Sequence, residues 1–132
     1  MPPERLSPDD PREWLRRAQS SLLQAQTEQP GVYLEDLCFN AQQAAEKALK
    51  ALLIYKGVRF PYIHDINRLI ELLAQNGVEI PDQVLQAGSL SDYAVEVRYP
   101  GIAEPVTQDE YLDAINQAQI VIAWVESEIN PQ

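Results

Sequence analysis

The sequence has few side chains suited to acid–base, redox or metal chemistry, since it contains one histidine, His64, and one cysteine, Cys38. A lone cysteine cannot form a disulfide within the chain, so nothing here requires an oxidising compartment. One histidine and one cysteine cannot build a histidine- or cysteine-rich zinc site. Glycine-rich phosphate loops and the HExxH, CxxC and GxSxG motifs are absent as well. We therefore expect no metal and no cofactor.

Positive charge is scarce in the second half of the chain. Residues 1–68 contain nine basic and nine acidic side chains, whereas residues 69–132 contain eleven acidic side chains and a single basic one, Arg98. The net charge of −10 disfavours general binding to a phosphate backbone. A local basic pocket remains compatible with this distribution. The cluster of Arg12, Arg16 and Arg17 is either such a patch or ordinary solvated charge.

Long apolar runs are also missing. No segment is long enough to span a bilayer, and the start, MPPERLSPDD, has charges and prolines where a signal peptide has an apolar core. These observations predict a soluble cytoplasmic protein without a membrane partner.

The stretch 33–57 has the clearest pattern in the chain. Its apolar residues recur at steps of three and four, the period of one face of an α-helix. They are Leu34, Leu37, Cys38, Ala41, Ala45, Ala48, Leu49 and Leu52. Gly57 is suited to the position just past the C-terminus of this helix. We predict a central helix that several other helices cover, with Cys38 buried in the core.

Polar residues on this helix have two interpretations. Asn40, Gln43, Lys47 and Lys50 share one strip, and Gln42 and Glu46 form a second pair four residues apart. The simpler interpretation is a solvated helix edge on which Glu46 and Lys50 form an ordinary ion pair. The alternative is that Lys47 and Lys50 face a ligand-binding cleft.

Helix start and stop signals divide the remaining chain. Residues 1–9 are predicted to be a loose arm, and residues 10–130 a single helical domain. Asp10 and Pro11 begin the first helix, His64 and Asp65 the third, Pro81 and Asp82 the fourth, and the capping box after Thr107 begins the fifth. The fourth helix should run toward Arg98, with a kink or close crossing at Gly88. The fold class is therefore all-α, an up-and-down bundle of four main helices plus one shorter helix.

Several separated segments fall in order along the chain at suitable spacing. They are the run FNAQQAAEKALKALL at residues 39–53, His64-Asp65-Ile66 at the start of the next helix, Tyr93 followed by Arg98-Tyr99-Pro100 at the end of helix four, and the final helix, TQDEYLDAINQAQIVIAWV. Together they resemble the HEPN family (higher eukaryotes and prokaryotes nucleotide-binding), with the run at 39–53 similar to the family's second helix. The resemblance covers about residues 11–129.

The resemblance implies a homodimer that works with a minimal nucleotidyltransferase as a toxin–antitoxin-like pair. It also implies, for some members, a metal-independent ribonuclease whose motif is Arg, four to six residues, then His. After Arg98, the positions where that histidine should fall hold Ala103, Glu104 and Pro105. Arg59 and His64 satisfy the bare spacing, but they lie between helices two and three, so we interpret that match as coincidence. The ribonuclease chemistry needs a proton-transfer group near neutral pH, and the motif here lacks one.

We therefore expect a non-catalytic HEPN-type dimeric binding module, with nucleotide or RNA as candidate ligands. The candidate ligand-binding residues are Arg98, Tyr99, Lys47 and Lys50, with Arg98 placed to hold a phosphate or an acidic group. The structural alternative for Arg98 is a salt bridge to Asp92, Glu96 or Glu104. The alternative function is a metal-independent ribonuclease that uses Arg98 with a partner other than histidine.

Overall fold

The structure is a computed structural model that describes residues 2–93 and 105–130. Within these ranges the secondary structure is entirely helical, in agreement with the predicted all-α class. The helices are α1 (Pro11–Ala25), α2 (Leu34–Tyr55), α3 (Ile66–Gln75), α4 (Asp82–Gln86) and α5 (Gln108–Ile129), and a 3₁₀ helix (Ala87–Tyr93) follows α4. No helix in the described ranges combines the length and the apolarity needed to cross a bilayer.

Helix α2 is the centre of the bundle, as the sequence predicts. It packs most extensively against α1 and α5, and it also contacts α3 and the 3₁₀ helix. Its alanines allow these neighbours to approach closely, and Cys38 is fully buried among them. Helix α5 has an apolar stripe, with residues at steps of three and four, that is buried along its whole length: Tyr111, Ile115, Ala118, Ile122, Val125 and Ile129.

Local capping signals place the helix ends. Asp10 accepts a hydrogen bond from the backbone N–H of Arg12, and Asp65 accepts one from that of Asn67. Thr107 forms the predicted capping box with Glu110. Each cap satisfies backbone N–H groups that have no partner within the first turn of a helix. The predicted starts of these three helices are confirmed.

The fourth helix differs from its prediction. We expected an α-helix toward Arg98, but the α-helical part ends at Gln86 and continues as a 3₁₀ helix to Tyr93. Gly88 lies near the start of the 3₁₀ segment, where the side chain of Asn67 occupies the space that a Cβ at residue 88 would need. The Asn67 amide also donates a 3.4 Å hydrogen bond to the Gly88 carbonyl. The predicted close crossing at Gly88 is confirmed.

The C-terminus of α1 is stabilised from another helix. Tyr111 on α5 is 2% exposed, and its hydroxyl donates a 2.6 Å hydrogen bond to the carbonyl oxygen of Ala25. Ala25 is the last residue of α1, where carbonyl groups have no partner within the helix. This bond therefore joins α1 to α5 across the core.

Tyr111→Phe should lower the free energy of unfolding by about 1–3 kcal/mol, because a buried carbonyl loses its donor. Urea denaturation followed by circular dichroism measures the change. Tyr33→Phe is the matched control, since Tyr33 is 75% exposed, and it should change stability by less than about 0.5 kcal/mol. Equal effects of the two substitutions would show that the Tyr111 hydroxyl contributes nothing to the fold.

Candidate functional site

A buried polar cluster lies on α2. Gln42, Glu46 and Lys50 are spaced by four residues, so they share one side of the helix. Their exposed fractions are 0%, 2% and 4%. The interpretation of these residues as a solvated helix edge is therefore wrong. Sequence periodicity shows that the three polar residues share one side of α2. It does not show that this side is covered by the loop between α2 and α3 and by the side chain of Trp14.

Glu46 is the centre of the cluster. Its carboxylate accepts hydrogen bonds from the Gln42 amide at 3.1 Å and from the Lys50 ammonium at 3.1 Å. The Nδ1 atom of His64 lies 3.2 Å from the same carboxylate, and the Gln42 amide also donates to the His64 carbonyl at 3.3 Å. Buried charge is tolerated only when paired and hydrogen-bonded, and Glu46 meets both conditions. The expected ion pair is present, in a buried setting.

Lys50 is enclosed by aromatic rings. Its ammonium lies 5.9 Å from the ring centroid of Trp14, 6.0 Å from that of Phe60 and 5.7 Å from that of Tyr62. These separations are within the range of cation–π attraction. Trp14 belongs to α1, while the other two rings belong to the loop after α2. Lys50 thus holds α1 and that loop against α2. This role is structural, because the Lys50 ammonium is already bound by groups of the protein.

His64 is oriented by the cluster but not enclosed in it. Its side chain is 51% exposed, and the edge of the imidazole meets the Tyr62 ring with 4.8 Å between centroids. Arg59, which shares the bare ribonuclease spacing with His64, is exposed and makes no contact with the cluster in the described part of the chain. The imidazole is therefore positioned by Glu46 at the junction of α2 and α3.

Lys47 points to a different neighbour. Its ammonium donates a 2.8 Å hydrogen bond to the hydroxyl of Ser21 on α1. Burial lowers the pKa of Lys47 below its ordinary value; the Glu46 charge opposes this change, whereas the Arg17 and Lys50 charges add to it. Lys47 and Lys50 therefore do not converge on one described cleft. Arg98 and Tyr99, the other two predicted ligand-binding residues, lie outside the described residues.

Sequence reasoning did not identify the Gln42–Glu46–His64 network. The available signal was the four-residue spacing of Gln42, Glu46 and Lys50, which places these polar side chains on one side of α2. Because the other faces of α2 are apolar and packed against neighbouring helices, this polar side is partly covered as well. The pairing with His64 had no local signal, since a loop separates it from α2. Within the described ranges, no group of three acidic, histidine or cysteine side chains is arranged to hold a metal ion.

Comparison with known proteins identifies the class of this helical bundle. The model of the HEPN domain matches residues 11–128. The crystal structure of TT1696 from Thermus thermophilus is 34% identical with a TM-score of 0.75, covering 91% of this chain and 98% of that one. The structure of ST0689, an archaeal HEPN homologue, is 28% identical with a TM-score of 0.73, covering 97% and 100%. No curated protein matches the chain.

The family match spans nearly the whole sequence, so this chain belongs to the HEPN domain family. The predicted family resemblance is confirmed, and the matched range begins at Pro11, the first residue of α1.

Glu46→Gln should lower the free energy of unfolding by about 3–5 kcal/mol, because it leaves the Lys50 ammonium buried without a countercharge. Glu46→Gln combined with Lys50→Met should recover much of the loss, since no charge then remains unpaired. Urea denaturation measures both variants.

The matched control is Glu71→Gln on α3. Glu71 also pairs with a cation, Arg68, at 2.7 Å, but the two side chains are 54% and 46% exposed. Loss of an exposed pair should cost less than about 1 kcal/mol. A loss at Glu46 no larger than the loss at Glu71 would refute the stabilising role of the buried pair.

Proposed function

We propose that this chain is a non-catalytic HEPN binding module that forms a homodimer and acts in the cytoplasm with a minimal nucleotidyltransferase, as one half of a toxin–antitoxin-like pair. The observation that carries the proposal concerns the only imidazole of the chain. His64 is held by the buried carboxylate of Glu46, and the positions after Arg98 that would supply the ribonuclease histidine hold Ala103, Glu104 and Pro105. A module whose sequence lacks the histidine expected after Arg98 is suited to binding rather than to cleavage.

In this proposal Arg98 is the principal binding residue. Its guanidinium would hold a phosphate of a nucleotide or an acidic group of the partner, with Tyr99 beside it. Lys47, which is half-buried, is the more accessible of the two candidate lysines, because Lys50 is buried and paired with Glu46. Lys50 instead contacts Trp14 of α1 and the rings of Phe60 and Tyr62 in the loop after α2.

Purified protein should leave single-stranded RNA intact in buffer containing a metal chelator, because the sequence after Arg98 lacks the histidine that would move protons. Gel electrophoresis of a labelled RNA after incubation measures cleavage. If the native protein cleaves and Arg98→Ala does not, the chain is a ribonuclease with a partner other than histidine, and the non-catalytic proposal is wrong.

The binding role has its own test. The protein should sediment as a dimer and should bind a minimal nucleotidyltransferase from the same genome, and Arg98→Ala should weaken that complex about tenfold, the loss of one charge-assisted contact. Arg68→Ala on α3 is the matched control and should leave the complex unchanged. A monomer in sedimentation, or equal binding by both variants, would contradict the role assigned to Arg98.

A further inference from the structure

A small cleft lies between the N-terminal arm and α1. The floor of the cleft is one face of α1, on which Glu13, Arg16, Arg17 and Ser20 recur at steps of three, one and three. The arm forms the opposite wall and contributes Pro2, Pro3, Glu4 and Arg5, so the lining holds three basic and two acidic residues. The cleft is open to solvent and has a volume of about 210 Å³. Three of the ten basic residues of the chain therefore line one small space.

Specific hydrogen bonds hold the arm against α1. The Leu6 N–H donates to the Glu13 carboxylate at 2.8 Å, and the Arg16 guanidinium donates to the Glu4 carbonyl at 3.0 Å. The indole N–H of Trp14 donates to the Pro8 carbonyl at 2.7 Å. The arm predicted to be loose thus contacts the first two turns of α1, and these contacts form the second wall of the cleft.

The buried acid of the cleft, Glu13, is already paired with groups of the protein. The Glu13 carboxylate accepts from the Leu6 N–H and from Arg17 Nε, the latter at 2.6 Å, and its side chain is only 8% exposed. The Leu6 N–H and then the Arg17 guanidinium hold the pKa of Glu13 below its ordinary value. Glu13 therefore stays ionised and fully engaged, so it orients Arg17 rather than repelling an anion as a free carboxylate would.

Several guanidinium donors remain without partners. A guanidinium has five N–H groups, and Arg16 uses one on Glu4 while Arg17 uses its Nε on Glu13. In the described part of the chain, the Arg5 guanidinium makes no hydrogen bond or ion pair. The Arg17 side chain is 53% exposed, and Arg16 is exposed as well. Arginine forks match the oxygens of phosphate groups, so these donors are suited to such a ligand.

We propose that this cleft binds the phosphate or diphosphate group of a small ligand through Arg5, Arg16 and Arg17. Its volume of about 210 Å³ is below the range of about 300–1,000 Å³ that is usual for drug-sized ligands, so it takes a diphosphate rather than a whole nucleotide. A nucleoside attached to that group would extend into solvent. The net charge of −10 disfavours a long nucleic acid on this surface.

Isothermal titration calorimetry with inorganic diphosphate, in metal-free buffer at low salt, tests the proposal. Native protein should bind one diphosphate per chain, and Arg5→Ala combined with Arg16→Ala should weaken binding by at least about tenfold. Arg68→Ala, an arginine of similar exposure on α3, is the matched control and should bind as native protein does. ADP should bind about as well as diphosphate, while adenosine should give no heat.

Other results would overturn the proposal. No heat with millimolar diphosphate, or unchanged binding in the Arg5/Arg16 double variant, means that the cleft is not an anion site. Loss of binding in Arg98→Ala alone would place the anion at Arg98, which supports the function proposed above and refutes this cleft. Arg5- and Arg16-dependent binding of single-stranded RNA without binding of diphosphate would identify an extended polyanion surface instead. Both altered arginines are exposed, and circular dichroism verifies that the variants fold.

Discussion

The buried ion pair between Glu46 and Lys50 is the interaction on which the arrangement of the first three helices depends. Lys50 brings together Trp14 from α1 with Phe60 and Tyr62 from the loop after α2. The Glu46 carboxylate holds His64 just before α3 begins. Because a buried charge is costly without a partner, each member of the pair constrains the other. The pair thus favours one relative placement of α1, α2 and the start of α3, whereas apolar contacts alone tolerate sliding.

The same cluster bears on function, because it binds the Glu46 carboxylate and the His64 imidazole, two groups that could otherwise transfer protons. A half-exposed histidine beside a carboxylate resembles a proton-transfer pair, but this carboxylate is also bonded to Lys50 and Gln42. In contrast, the arginines beside the N-terminal arm have surface N–H groups that bond no other residue among those the structure describes. The polar cluster on α2 therefore has a structural role, whereas the arginines beside the arm are the ones proposed to bind an anion.

Much of the fold was predictable because its signals are local. Asp10, Asp65 and Thr107 begin helices at the positions that capping rules indicate, since a cap involves residues two or three apart. The α5 stripe is buried as its spacing predicts. Prediction was wrong for helix four, which changes to a 3₁₀ helix at Ala87 and meets Asn67 of α3 at Gly88. That contact crosses between elements, and no local rule includes it.

The candidate site was predictable only in part. The sequence singled out Lys47 and Lys50 by their spacing, but the structure turns Lys47 toward Ser21 and encloses Lys50. By itself, the sequence determined the all-helical class, most helix ends and the HEPN family, because these follow from periodicity, caps and ordered motifs. Only the tertiary structure decided which polar side of α2 is buried and that Arg5 meets Arg16 and Arg17 in one cleft. Burial and clustering depend on which distant segments pack together, and a pattern along one helix does not contain that information.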